Sequence, residues 1–157
     1  RFDYYRLRAL AGQQLLAEVR EVFRRGGHFL CALPMLDVYV AREMARRGDR
    51  DQAIPLMRAA VDHLMLGGQG LSWGVLTTGV LVATLLDRGT ESDVTEAEAA
   101  IERLATVPAD KGLAMRETWL QRMRAALARA QGDVEWSDRR GELHPDPQLG
   151  SRTGVGV

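Results

Sequence analysis

Hydrophobic and polar positions along the chain follow the period of amphipathic helices. Leu, Val, Met and Ala recur at intervals of three and four residues, with Arg, Asp and Glu between them. β-branched residues do not gather in the alternating runs that are typical of strands. The pattern predicts about six helices joined by short turns, over residues 2–25, 29–47, 50–66, 71–88, 94–107 and 111–131.

The fourth of these segments is the apolar centre of the chain. Residues 71–86 form a run of 16 without a charge, so neighbouring helices must cover their sides. A bilayer span needs about 20 predominantly apolar residues, so we expect a buried helix and no membrane partner. Gly79 costs about 1 kcal/mol relative to Ala inside a helix. We therefore expect it, with Ala83 one turn later, to allow the close approach of another helix.

Glycines and capping patterns predict where the helices begin and end. Gly48, Gly89 and Gly132 each follow a run of helical period, and glycine adopts the left-handed cap conformation at low cost. A capping box pairs the residue before a helix with the residue three positions later. The predicted capping boxes are Asp49 with Gln52 and Asp93 with Glu96.

The three turn glycines lie 41 and 43 residues apart, which indicates a repeated pair of helices. Small and large side chains follow the order of a tetratricopeptide repeat, in which small residues let helices approach and large ones fill the next groove. We predict an all-α fold of antiparallel helix pairs, stacked as a tetratricopeptide-like right-handed superhelix with a concave side. The residues predicted to form this packing are Val40, Ala41, Met44, Gly48, Ala53, Met57, Ala60, Gly79, Ala83, Gly89, Ala97, Ile101, Leu104, Leu120, Met123 and Leu127.

Composition sets the domain organisation and excludes some partners. The chain of 157 residues is long enough for one domain, which we place at 1–132, followed by a flexible or divergent tail at 133–157 rich in glycine and charge. The formal net charge is zero, so we expect no nucleic-acid partner. Cys31 is the single cysteine, which fits a cytoplasmic setting. Because the chain begins at Arg1 and not Met, we interpret it as a fragment.

Motifs for catalysis, cofactors and metals are not evident. The run Gly67–Gly70 lacks the Lys and Ser/Thr of a phosphate-binding loop, and we interpret it as a helix connector. His28 and Cys31 supply two metal ligands on one helix turn, which is too few for a site. Cys31 has no placed histidine base, so a small core residue is the simpler interpretation. We predict no catalytic residue, no cofactor and no metal.

Two runs carry a resemblance to a known family. They are DVYVAREMARRGDRDQAIPLMRAAVDHL, over 37–64, and GVLTTGVLVATLLDRGTESDVTEAEAAIERLATVPADKGLAMRETWLQRMRAALARAQGD, over 74–133. They resemble the C-terminal tetratricopeptide-like region of bacterial multidomain class III adenylate/guanylate cyclases that carry an AAA or NB-ARC-type ATPase module. The resemblance covers about residues 20–133, and beyond them the chain departs from the family pattern. It implies a sensing or scaffolding tail without catalytic residues of its own.

Three functional hypotheses follow. The first is a non-catalytic interaction and regulatory tail that binds a protein or peptide, including the cyclase or ATPase domains of the same polypeptide. The second is the helical region of an ATPase-type (LuxR-like) transcription regulator, or a free-standing tetratricopeptide-like adaptor. The third is a small enzyme with an unrecognised site, and no converging nucleophile, base or metal set supports it.

Overall fold

The computed structural model describes residues 14–22, 24–26, 33–108 and 114–143. These residues contain six helical segments and no strand, so the predicted all-α class is confirmed. We call residues 14–22 and 24–26 α1. The other helices are α2 (Leu33–Arg46), α3 (Arg50–Leu66), α4 (Val75–Arg88, preceded by a π-helical turn at Gly70–Gly74), α5 (Glu91–Ala105) and α6 (Ala114–Leu143).

The core is built around α4, as the uncharged run predicts. Val75, Leu81, Val82 and Leu85 are at most 3% exposed. Helices α2, α3, α5 and α6 all pack against α4. Among the described residues one stretch, Gly70–Arg88, is long and apolar enough to span a membrane, with a mean hydropathy of 1.4, and 56% of it is buried inside the fold. A central core helix has the same properties.

The partners of three ion pairs show the relative directions of α3, α4 and α5. Arg50, at the start of α3, donates to Asp87, at the end of α4, with Nε 2.8 Å from Oδ2. The two helices therefore run in opposite directions. Arg58 in the middle of α3 pairs with Glu96 near the start of α5, and residues 62 and 103 pair further along both helices. Helices α3 and α5 therefore run in the same direction.

The helices contact one another in the order that stacked pairs require. Helix α2 packs on α3, and α4 packs on α5. Each new pair rests on the previous one, since α4 contacts both α2 and α3, and α6 contacts both α4 and α5. In a repeat protein each unit contacts only its neighbours, and the same order results. The right-handed superhelical path remains a prediction.

Two of the three predicted glycine stops occur, and the third does not. Gly48 and Gly89 follow α2 and α4 with φ of +104° and +73°. Helix α6, in contrast, continues through Gly132 to Leu143, and Gly132 is not among the glycines of positive φ. One exposed glycine costs a helix only about 1 kcal/mol, which the helix-forming residues around it offset. The predicted tail therefore begins as helix.

The capping residues also differ from the prediction. Helix α5 begins one turn earlier than predicted, because Thr90 and not Asp93 is its N-cap. The Thr90 hydroxyl accepts from the backbone N–H of Asp93 at 3.2 Å, and the Asp93 carboxylate accepts from the backbone N–H of Thr90 at 3.1 Å. At α3, Asp49 occupies the N-cap position without a side-chain capping bond. His28, Cys31 and the segment after Leu143 lie outside the described residues.

Candidate interaction groove

A groove opens between α2, α4 and α6, the first helices of the successive pairs. Its volume is about 460 Å³. We call it the α2–α4–α6 groove. It is lined by Tyr39, Arg42, Ala45 and Arg46 of α2, Leu76, Gly79, Val80, Ala83, Thr84 and Asp87 of α4, and Trp119 of α6.

The contact between Gly79 and Trp119 forms the floor of this groove. A Cβ atom at residue 79 would lie 2.8 Å from Cζ3 and 3.0 Å from Cε3 of the indole. Real Cβ atoms do not approach other atoms so closely, so only glycine allows α6 to bring Trp119 to this position. The guanidinium of Arg122 lies 5.9 Å from the centre of the same ring, within the range of a cation–π interaction.

Small and half-buried apolar side chains keep the groove open and partly apolar. Leu76, Val80 and Tyr39 are half-buried, and Ala83 is exposed. Because Ala83 carries only a methyl group, it leaves space at a position where a larger side chain would fill the groove. The apolar part of the surface is thus suited to the side chain of a bound segment.

The charged side chains of the groove differ in whether they form ion pairs. Arg46 is paired with Glu43 of its own helix at 3.1 Å, and Asp87 with Arg50 at 2.8 Å. Arg42 has no carboxylate within 4.0 Å in the part of the chain that the structure describes, and the same is true of Arg122. Arg42 therefore lines the groove without a carboxylate partner among the described residues, whereas Arg122 lies near the ring of Trp119 but is not part of the lining.

A second cleft, of about 300 Å³, lies between α3, α4 and α5. Its rim carries the ion pair between Arg58 and Glu96, with Nη2 2.7 Å from Oε2, and the ion pair between Asp62 and Arg103. The Thr78 hydroxyl is fully buried at this cleft and has no hydrogen-bond partner among the described residues. The charges on the rim cancel, so the cleft has no preference for a charged ligand.

A third groove, between α1, α2 and α3, is larger, at about 630 Å³. Leu33, Leu56 and Ala59 line it, and Leu56 is 49% exposed. Residues 27–32, which connect α1 to α2 along the chain, lie outside the described residues. For this reason the α2–α4–α6 groove, whose lining is fully described, is the better defined candidate.

A buried ion pair joins α4 to α5 at the end of the bundle. Asp93 is 1% exposed and accepts from Arg88, with Oδ1 2.6 Å from Nη2 and Oδ2 2.9 Å from Nε. This bidentate pair, helped by the bonds from Thr90, lowers the pKa of Asp93 from 3.8 to about 2. Arg88 also donates to Asp51 of α3 at 2.7 Å. The network thus joins α3, α4 and α5 at one end of the bundle, and its charged groups are bound to one another.

The residues predicted for repeat packing fall into three groups. The glycines of the turns, Gly48 and Gly89, are exposed, as is Ala83. Val40 and Met44 are half-buried. The remaining residues are buried, namely Ala41, Ala53, Met57, Ala60, Gly79, Ala97, Ile101, Leu104, Leu120, Met123 and Leu127.

The groove residues that the sequence pattern did not single out are Tyr39, Arg42 and the ring of Trp119. They lie up to 80 residues apart in the chain, so their spacing carries no signal. Among the described residues, no three His, Cys, Asp or Glu side chains are grouped to hold a metal ion. The pKa of Glu21 is also lowered to about 2, by ion pairs with Arg24 and Arg25 on the exposed surface of α1.

Comparison with known proteins gives no match for this chain, whether to family models, to curated proteins or to solved structures. The groove and the resemblance in the sequence are therefore the two grounds for a functional assignment.

Proposed function

We propose that this chain is a non-catalytic interaction domain of tetratricopeptide-like architecture, whose α2–α4–α6 groove binds an extended or helical segment of a protein. One observation carries the proposal. Three helices that are not consecutive in the chain build an open groove with two aromatic side chains, a small-residue floor and one arginine, Arg42, that has no carboxylate partner among the described residues. Aromatic and arginine side chains are enriched at protein interfaces and dominate their binding energy.

The resemblance described above supports a more specific role. As the tail of a cyclase- and ATPase-linked signalling protein, the domain would bind a segment of the cyclase or ATPase module, or of an upstream protein, and so regulate catalysis elsewhere in the polypeptide. The helical region of a LuxR-like transcription regulator and a free-standing adaptor would use the same groove. Reading the gene on both sides of this segment separates the three, since cyclase and ATPase domains, a helix-turn-helix domain, or neither would be encoded there.

Selection of peptides on the purified chain tests whether the groove binds. A phage-displayed library of random dodecapeptides is panned on the wild-type protein, and the affinities of selected peptides are measured by fluorescence anisotropy. Ala83→Trp fills the groove and should abolish binding. Ala128→Trp places the same side chain at an exposed position of α6 that does not line the groove, and it should bind as the wild type does.

Two results would overturn the proposal. Peptides that bind Ala83→Trp as well as wild type would not occupy this groove, and loss of binding in Ala59→Trp instead would assign them to the groove of α1, α2 and α3. Turnover of ATP or GTP by the purified chain, measured as released phosphate or pyrophosphate, would contradict a non-catalytic domain.

A further inference from the structure

We infer that the α2–α4–α6 groove selects a segment that carries a carboxylate next to an aliphatic or aromatic side chain. This inference rests on the proposed function and deepens it by naming the chemistry of the partner. Its basis is the unequal charge of the groove and the position of that charge beside the apolar surface.

The carboxylate is assigned from Arg42, the arginine of the lining that has no carboxylate partner among the described residues. Ten of the fourteen arginines whose side chains the structure describes pair with Asp or Glu, including Arg46 of the same lining. Arg42, Arg47, Arg122 and Arg129 have no carboxylate partner among the described residues, and of these four only Arg42 lines the groove. A guanidinium binds a carboxylate through two parallel N–H bonds, and a half-buried site such as that of Arg42 strengthens the pair.

The apolar side chain is assigned from the apolar part of the lining that Arg42 shares. Trp119 offers its ring there, and Leu76 and Ala83 line the adjoining part of the groove. An apolar side chain that entered this space would contact the indole and displace water from half-buried carbon atoms. The arginine would thus bind an acidic residue of the partner, and the apolar surface would bind the apolar residue next to it.

A single-stranded nucleic acid is the other ligand that arginine and aromatic side chains suit, since bases stack on the rings and phosphates pair with the cations. One feature favours the peptide. The net charge of the chain is zero, so no extended positive field follows a phosphate backbone.

The peptide selection described above tests the inference when it is extended by charge-swapped variants. We expect the selected peptides to be enriched in Asp or Glu beside Leu, Phe or Trp. Arg42→Glu should weaken their binding at least about tenfold, and raising the salt concentration should weaken binding to the wild type. Replacing the peptide's acidic residue by Lys should restore its binding to Arg42→Glu, which no merely structural effect of the substitution would do.

Arg129→Glu is the matched control, because Arg129 is exposed on α6 and does not line the groove. Thermal melting of each variant, followed by circular dichroism, verifies that it folds, and Arg42→Gln provides a second variant. Peptides that require an open groove but show no acidic enrichment and no response to Arg42→Glu would overturn this inference and leave the proposed function intact. Failure to select any peptide that Ala83→Trp excludes would overturn both. Tighter binding of a (dT)12 oligonucleotide than of the peptides, lost in Arg42→Glu, would also overturn the inference.

Discussion

The indole of Trp119 lies against the backbone of Gly79, where a Cβ atom would be only 2.8 Å from the ring. This contact joins the buried side of α4 to the floor of the candidate groove. It also explains why glycine stands in the middle of a core helix at a cost of about 1 kcal/mol. The stability of the fold and the shape of the groove therefore depend on the same residue.

Substitution of Gly79 should have opposite effects in two backgrounds. In the wild type, Gly79→Ala should destabilise the fold, because overpacking costs about 1–3 kcal/mol and outweighs the gain of about 1 kcal/mol in helix propensity. Gly79→Leu should cost more. In Trp119→Ala the space above residue 79 is empty, so Gly79→Ala should now stabilise. Urea unfolding followed by circular dichroism measures the stability of the wild type, the two single variants and the double variant, which form a double-mutant cycle.

Gly74→Ala is the control for helix propensity at the start of α4. A Cβ there would meet its nearest atoms at 3.4 Å, an ordinary contact, so the change should be neutral or slightly stabilising. If Gly79→Ala stabilised the wild type as much as it stabilised Trp119→Ala, the indole would not restrict residue 79.

The glycines at 89 and 132 make a second matched pair, since both follow a helical run in the sequence. Gly89 has a φ of +73°, a region that costs an L-residue roughly 1–2 kcal/mol, so Gly89→Ala should destabilise by about 1 kcal/mol. Gly132 lies inside α6, and a Cβ there would meet nothing within 4 Å. Gly132→Ala should therefore raise the melting temperature by adding helix propensity. A lower melting temperature for Gly132→Ala would mean that the helix ends there after all.

These glycines show how far the sequence determines the fold. Apolar periodicity predicts the helices and the central position of α4, because burial of an apolar stripe is a local pattern. A glycine, however, ends a helix at position 89 and lies inside a helix at position 132. The choice depends on whether the following residues continue the helix, and that depends on their contacts and solvation. Propensity alone does not decide it.

The groove was not predictable for a different reason. Tyr39 and Arg42 belong to α2 and Trp119 to α6, and these two helices line one groove because both pack on α4. Arg42 also resembles every other arginine in the sequence, and only the fold shows that it lines the groove without a carboxylate partner among the described residues. The cap of α5 illustrates the same limit at short range, since Thr90 and Asp93 both have capping side chains and the backbone selects Thr90.

The buried carboxylate of Asp93 should make stability depend on pH in an acidic window. Its pKa is about 2 in the folded protein and near 3.8 in the unfolded chain, because Arg88 and Thr90 stabilise the ionised form. The folded state thus binds the proton of Asp93 less tightly than the unfolded chain does. The stability that the ionised carboxylate adds to the fold is therefore complete above about pH 4 and is lost as the pH falls to about 2. The shift corresponds to about 2 kcal/mol.

Asp93→Asn should remove this dependence. At pH 7 the variant should be less stable than wild type by about 2–4 kcal/mol, since Arg88 loses its bidentate partner and α5 loses half of its capping box. Between pH 4 and pH 2 the difference between the two proteins should shrink. Urea denaturation at each pH measures it, with Glu98→Gln at an exposed position of α5 as the control. A constant difference across the window would contradict the assigned pKa.

The ion pair between Arg58 and Glu96 should contribute to the stacking of α3 and α5 through charge and not through packing. Both side chains are partly exposed, so the pair is worth about 0.2–1 kcal/mol and should weaken in salt. Glu96→Arg should destabilise by more than this, because it places two guanidinium groups together on α3 and α5. The exchange Arg58→Glu with Glu96→Arg restores opposite charges across the same gap and should recover most of the loss at low salt. Urea midpoints of the four proteins in 20 mM and 500 mM NaCl provide the measurement. If the loss of stability in the double variant equalled the sum of the losses in the two single variants, Arg58 and Glu96 would not be coupled. The parallel alignment of α3 and α5 would then depend on the buried contacts of α4 alone.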